Sequence, residues 1–402
     1  MSDEGSGSGM TTVTQRRDWC AVFSVMAGIF LLVTAEQLPI GLLSQLATSL
    51  DVSEGQAGLM ITVPGVVAAF AAPLLPVAVG RLDRRYLLTG LMLVMTIASV
   101  LGALMDSFAG LLATRVLIGC CIGGFWAIAG GLAGRLVALE HVPRAMSFIF
   151  SGVAAATVLG VPAGTWLGGV TDWRIAFAAL GGLSLLVCLC LWQLLPSLPA
   201  QKPVRLVSLG GQLKLPGVCI GALATALIVV GHFAAYTFIS PILQRLGGIP
   251  LSDVSRLLLL FGAAGLMGNF IAGGLAGRQP YLTVLLIPLV LAGVALGFPW
   301  FGVTATGASA LLMLWGFVFG GISVSLQTWI LRSATNPEAA TAMMAFVFNL
   351  SIGLGALSGG RVVDSWGLSS VLLAAGGLFS LAALLVLATP SRVVGRQRSS
   401  HG

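Results

Sequence analysis

The sequence predicts an all-α membrane protein, with twelve transmembrane helices arranged as two six-helix halves. Three observations predict it. Of 402 residues, 57% are hydrophobic and only 8% are charged, against about 25% charged in a typical soluble chain. So few charges cannot cover the surface of a soluble fold this long, whereas a bilayer solvates an apolar exterior without them, and a soluble enzyme is excluded. Apolar runs of about 20 residues, the length a helix needs to cross the hydrocarbon core, recur twelve times along the chain. The lysines and arginines, finally, gather on one side of the topology these runs define.

Taken in order, residues 1–14 are rich in Gly and Ser and read as a disordered tail. The first run, 20–43, is too long for a signal-peptide core and lacks a small-residue cleavage site, so it is kept as a span. Spans 57–79, 86–105, 108–134, 145–169 and 175–195 follow, cut by charges, Pro/Gly turns and polar clusters, and complete a half over 15–195. The longest connection, 196–215, carries Pro196, Pro199, Pro203 and both lysines of the protein. Beyond it, spans 216–243, 254–276, 281–301, 305–331, 339–360 and 368–389 make the second half, 216–390, followed by a tail over 391–402.

Alternating the connections places fifteen of the 20 Lys and Arg on one side and only Arg174, Arg245, Arg256 and Arg361 on the other, with Arg115 inside a span. The positive-inside rule then puts both termini in the cytoplasm, with the membrane crossed many times. The net charge of +7 is explained by this topology, so nucleic acid is not expected as a partner. All six cysteines lie in or at the ends of apolar runs and read as small core residues, with no disulfide or metal pattern. A weak echo links Gly80-Arg81 and Tyr86-Leu87 to Gly277-Arg278 and Tyr281-Leu282. Two related six-span halves are the plan of a transporter with its site between them.

Glu36 is the only acid these boundaries place inside a span, roughly 10 Å from its outer end at 1.5 Å per residue. An ionisable group there is costly and is expected to face a polar cavity, pair or stay protonated, each of which suits a proton carrier. Arg115 lies at the same depth in span 4, where an ion pair with Glu36 is geometrically reasonable and pairing with a substrate group is the other reading. Gly119, Gly123 and Trp126 follow at helical spacing, offering space and then an aromatic ring on nearly the same face. In span 7, His232 and Tyr236 share a face, and histidine titrates near neutrality, making it a second candidate proton site. In span 10, Gly316, Gly320, Ser323 and Gln327 form a small and polar stripe, read as facing the cavity, with Trp315, Ile322 and Trp329 on another face. Asn349 and Asn269 are expensive in lipid and are expected to point inward. A turn at Gly80–Tyr86 sets Asp83, Arg84 and Arg85 at the start of span 3, where an acid is favoured by the helix dipole. Span 5 carries Gly160, Pro162 and Gly164, a bendable stretch suited to close packing.

With these residues in view, the chain from about 15 to 390 resembles the major facilitator superfamily, in its twelve-span drug/proton antiporter type. The resemblance rests on Glu36-Gln-Leu-Pro39-Ile-Gly41, the Asp83-Arg-Arg loop, Arg115-Val-Leu-Ile-Gly119 and the Gly160/Pro162/Gly164 stretch. Within that group the chain looks most similar to bacterial purine ribonucleoside efflux pumps, through runs such as Asp18–Val25, Gly123–Ala127, Val142–Ser147 and Phe233–Tyr236. It departs at Gln37, where many relatives carry Phe, and at Val79, where the loop motif usually has Gly. The resemblance implies proton antiport by alternating access.

The expected function is therefore proton-coupled efflux of small solutes, foremost purine ribonucleosides, by a secondary transporter that is not an enzyme. Glu36, Arg115 and His232 would couple protons, and Gln37, Trp126, Tyr236, Ser323, Gln327 and Asn349 would bind solute, Trp126 and Tyr236 by stacking. Asp83, Arg84, Arg85, Gly160, Pro162 and Gly164 would serve gating. The proton gradient supplies the driving force, no cofactor or metal is implied, and the expected partners are the solute, protons and lipid around a monomer. A sugar or drug exporter of the same fold is the first alternative, and a membrane receptor that transports nothing is a second. The chain has no GxxxxGK[ST] loop, which argues against ATP-driven transport.

Overall fold

The structure is a computed structural model that describes residues 16–80, 82–199, 212 and 214–390. Both expected tails and most of the 196–215 connection lie outside the described residues. Every element described is helical, and twelve helices are long and apolar enough to cross a membrane. They are α1 Arg17–Gly41, α2 Glu54–Leu75, α3 Arg84–Leu104, α4 Phe108–Ala129, α5 Leu139–Val170, α6 Trp173–Leu194, α7 Pro216–Tyr236, α8 Leu251–Arg278, α9 Pro280–Phe301, α10 Ala305–Ser333, α11 Ala339–Trp366 and α12 Leu368–Leu387. The even number of crossings brings residues 16 and 390 to the same side, here called the termini side.

Local chemistry starts the helices. Ser107, Asp172, Thr304 and Asn336 each accept a backbone N–H of the first turn at 2.7 to 3.2 Å, satisfying a donor that would otherwise have no partner at the helix end. Several spans depart from regular helix, α2 by a break at Gly58. In α5, residues Ala156–Gly160 form a π-bulge. In α10 the helix breaks at Gly321. The span expected at 216–243 ends at Tyr236 and continues, after Thr237 and Phe238, as a short helix Ile239–Arg245.

Two boundaries correct the sequence reading. The second span starts three residues earlier, at Glu54, and the eleventh runs on to Trp366, so Glu54 and Asp364 fall within spans. Glu36 is therefore not the only acid in a span. The others, including Glu140 and Asp253, sit in the first or last turn, where solvent and helix ends lower the cost of charge.

One buried apolar cluster fills the first half, from Ala21 to Leu198. A second fills the other half and also takes in Ile40, Leu43, Ala57, Ile61 and Val161 of the first. These five reach across at the far side, where the halves meet through α2 with α11 and through α8 with the Ala156–Val170 part of α5. Small residues permit the contact: a Cβ on Gly262 would lie 2.7 Å from the Thr157 carbonyl oxygen, and one on Gly353 2.9 Å from that of Thr62. The termini-side part of α5, 142–155, makes no comparable packing with α8. The bundle is thus closed at the far side, with its seam reaching down to the edge-on rings of Phe70 and Phe346.

The halves echo one another at the termini side. Tyr86 at the start of α3 packs its ring on Trp192 at the end of α6, while the Tyr281 hydroxyl, at the start of α9, donates to the Val386 carbonyl at the end of α12.

Candidate functional site

Glu36 is 5% exposed, and its Oε1 has no hydrogen-bond partner. Its helix is held tightly by α5: a Cβ on Gly160 would fall 2.1 Å from Thr34 Oγ1, and one on Gly164 2.5 Å from Leu38. The α5 stretch singled out for bending thus clasps the turn of α1 that bears Glu36. Pro162 is buried and follows the π-bulge, a local irregularity of the kind at which helices accommodate a proline. Gln37, next to Glu36 in the chain, is half-buried.

Arg115 is 0% exposed, yet it does not pair with Glu36. Its Nη1 donates to the backbone carbonyl of Ala35 at 2.9 Å, and its guanidinium lies 4.6 Å from the Phe177 ring centroid. The ion pair is replaced by a carbonyl contact and a cation–π contact, because the guanidinium reaches the residue before Glu36 instead of its side chain. Nor is there space below Arg115. A Cβ on Gly119 would sit 2.8 Å from the Pro64 carbonyl oxygen and one on Gly123 2.5 Å from that of Ala68, so this glycine face is a seam between α4 and α2.

Trp126 stacks on Phe150 of α5, with centroids 5.9 Å apart. It stands 18 residues from Phe108, about 27 Å down the helix, near the termini side, whereas Tyr236 ends α7 at the far side. A joint clamp of Trp126 and Tyr236 on one solute, as expected from sequence, is excluded in this state by that distance.

In the second half, His232 is 0% exposed and sits among aromatic rings. Phe319 stacks on it at 3.5 Å and Tyr236 at 4.7 Å, and Tyr236 in turn stacks on Phe261 at 4.6 Å. The Trp315 indole N–H donates to His232 Nδ1 at 3.1 Å. Trp315 had been assigned to a face away from the site; helix spacing within α10 carries no information about a residue on α7. This bond occupies the Nδ1 lone pair, one of the two positions at which a proton-coupling His232 would carry its protons.

The polar stripe of α10 is not a cavity wall throughout. A Cβ on Gly316 would lie 2.5 Å from the Phe261 carbonyl oxygen and one on Gly320 1.9 Å from that of Gly265, so both glycines face α8. Ser323 is exposed, and the Gln327 amide donates to Thr341 on α11 at 3.0 Å. Asn349 is 8% exposed and donates to the Ala345 carbonyl at 2.8 Å within its own helix, while Asn269 is exposed.

At the termini side, Asp83 caps α3 by accepting Arg85 N–H at 2.8 Å. It also accepts the Leu198 N–H at 2.8 Å and the Ser197 hydroxyl, and the Arg84 N–H donates to the Leu198 carbonyl at 2.9 Å. The Arg85 guanidinium donates to the Trp192 carbonyl and packs over its ring, and Arg135 donates to the Pro199 carbonyl at 2.8 Å. Partial burial pushes the Asp83 carboxyl up, but the bonds from Ser197, Arg85 and Leu198, with Arg135 nearby, outweigh it and hold the group below its ordinary value of 3.8. The loop thus ties the start of α3 to the chain leaving α6, a partner the loop motif alone does not reveal. Among the described residues no group of three or more His, Cys, Asp or Glu is placed to hold a metal.

Twelve spans in two halves, closed at one side over an unpaired buried acid and an aromatic cluster, define a multi-pass membrane transporter. A family model described as Major Facilitator Superfamily matches residues 25–356, and the chain belongs to that family. The protein named purine ribonucleoside efflux pump from Salmonella paratyphi A is 36% identical over 93% of this chain and 94% of its own. Its counterpart in Salmonella typhimurium is 35% identical over the same shares. Among solved structures, a bacterial homologue of the human lysosomal transporter Spinster, in an inward-facing and occupied conformation, matches with a TM-score of 0.74 at 15% identity, over 92% of this chain and 95% of that one. The human organic anion transporter MFSD10 matches with a TM-score of 0.68 at 17% identity, over 92% of this chain and 100% of that one. At such identities these structures speak to the fold alone.

Proposed function

We propose that the chain exports purine ribonucleosides across a bacterial inner membrane in exchange for protons, working as a monomer without cofactor. The observation that carries this reading is the 36% identity, over nearly the full length of both chains, to pumps named for that substrate. Glu36 supports the coupling: a carboxyl more than a turn inside the end of its span, buried and in no ion pair, suits a group that takes up and gives up a proton. With the termini in the cytoplasm, the state described is closed to the outside. The α5 bulge with Gly160, Pro162 and Gly164 then serves as the pivot beside Glu36, and the Asp83, Arg84 and Arg85 loop steadies the inner ends of the first half.

Purified protein in liposomes tests the reading. An acid-inside pH gradient should drive uptake of tritiated inosine, and a protonophore should abolish it. Gradient-driven movement of an antibiotic or a sugar, with no movement of inosine, would replace the purine reading by the drug or sugar alternative; no movement of any solute would revive the receptor. Orientation is tested separately with single cysteines at positions 207 and 397, which lie outside the described residues. A membrane-impermeant label applied to intact cells should reach neither.

A further inference from the structure

His232 is held in one tautomer. The Trp315 indole is a donor only, and both it and His232 are 0% exposed. Its bond to Nδ1 therefore leaves the imidazole proton on Nε2, and that Nε2–H has no hydrogen-bond partner. A buried donor without an acceptor is costly, so something is expected to accept from it. The surroundings describe the acceptor. The rings of Phe319, Tyr236 and Phe261 lie within 12 to 26° of the imidazole plane, and they come from α10, α7 and α8. Such a set of near-parallel faces favours another flat ring by offset stacking. An N–H in the plane of the imidazole is met by an acceptor at the edge of such a ring. Phe319 is half-buried, the least enclosed ring of this cluster. Phe261 adjoins Gly262, whose close contact with Thr157 is the seam between the halves.

We propose that His232 is a substrate-binding residue, not a proton carrier. Its Nε2–H donates to a ring nitrogen of the purine base, which stacks against the aromatic faces of α7, α8 and α10. Trp315 is the positioning residue that fixes the tautomer. The inference rests on the purine reading above and names how the base is recognised.

Equilibrium binding of adenosine and its 1-deaza, 3-deaza and 7-deaza analogues to the purified full-length protein tests it. Each analogue removes one ring acceptor and keeps the flat ring. In the wild type, one analogue should bind about tenfold more weakly than adenosine, as expected for a buried donor left unpaired, while the other two bind much as adenosine does. His232→Phe should weaken adenosine by a similar factor and lose the discrimination against that analogue. His232→Gln, which keeps an N–H donor, should recover part of both. If the wild type binds adenosine and all three analogues alike, or if His232→Phe keeps the discrimination, the assignment of His232 is overturned and its donor is met by water only. If the wild type binds no purine ribonucleoside, the purine reading itself fails, and this inference with it. The wild-type comparison needs no variant to fold.

Discussion

The carboxylate of Asp364, in the last turn of α11, accepts the backbone N–H of Gly55, in the first turn of α2, at 3.0 Å. The same carboxylate accepts the Ser53 hydroxyl at 2.7 Å. An acid from one half thus caps a helix N-terminus of the other, where the dipole favours negative charge. Beside it, Arg245 lies 2.8 Å from Glu54. The fit leaves no room for a side chain, since a Cβ on Gly55 would fall 2.3 Å from both Asp364 Oδ2 and the Gly360 carbonyl oxygen.

This latch is expected to hold the far side shut. Asp364→Ala leaves the buried Gly55 N–H without its acceptor and frees the exposed Ser53 hydroxyl to water, a loss of about 1–3 kcal/mol from the closed state. A single cysteine at Ala57, buried in that interface and placed in a background without the six native cysteines, should then be labelled faster from the far side. Gly55→Ala should do the same by steric means. Unchanged labelling in both variants would show that the latch does not govern closure.

Glu36 is expected to carry the coupling without holding the fold. Glu36→Gln keeps the shape and removes the titrating proton, so the variant should insert, bind inosine and exchange it down a gradient. Its pH-driven accumulation should fall at least to the level of the protonophore control. Accumulation equal to wild type would place the proton site elsewhere.

Asp83 should make stability depend on pH in a defined direction. A carboxyl held below its ordinary value contributes stability that is present above 3.8 and lost as pH falls through its lowered folded value. Asp83→Asn should therefore cost about 1 kcal/mol at neutral pH, measured by thermal unfolding in detergent. The gap to wild type should close as the pH is lowered below 3.8. A gap that persists there would mean that the charge of Asp83 is not what ties α3 to Leu198.

Gly320 is expected to be structural. With its Cβ position 1.9 Å from the Gly265 carbonyl oxygen, Gly320→Val must part α8 from α10 at a cost of about 1–3 kcal/mol. The melting temperature in detergent should drop, and the wild-type value would refute the tight seam.

What the sequence determined by itself follows from one-dimensional constraints. The bilayer's thickness sets the length of each apolar run, the distribution of lysine and arginine sets the expected topology, and the long proline-bearing connection divides the chain into halves. The depth of Glu36 within its span was legible for the same reason, since it is a count of residues along one helix. What faces what was decided only by the tertiary structure. Arg115 and Glu36 share a depth, but a difference of one residue around α1 delivers the guanidinium to the Ala35 carbonyl. Gly119, Gly123, Gly316 and Gly320 look like open space in sequence, yet the absence of a side chain serves equally well to admit a neighbouring backbone, and that is how they are used. Trp315 reaches His232 and Asp364 reaches Gly55 between helices far apart in the chain. Helical periodicity fixes the face of each helix separately, and only the packing of the bundle fixes which faces meet.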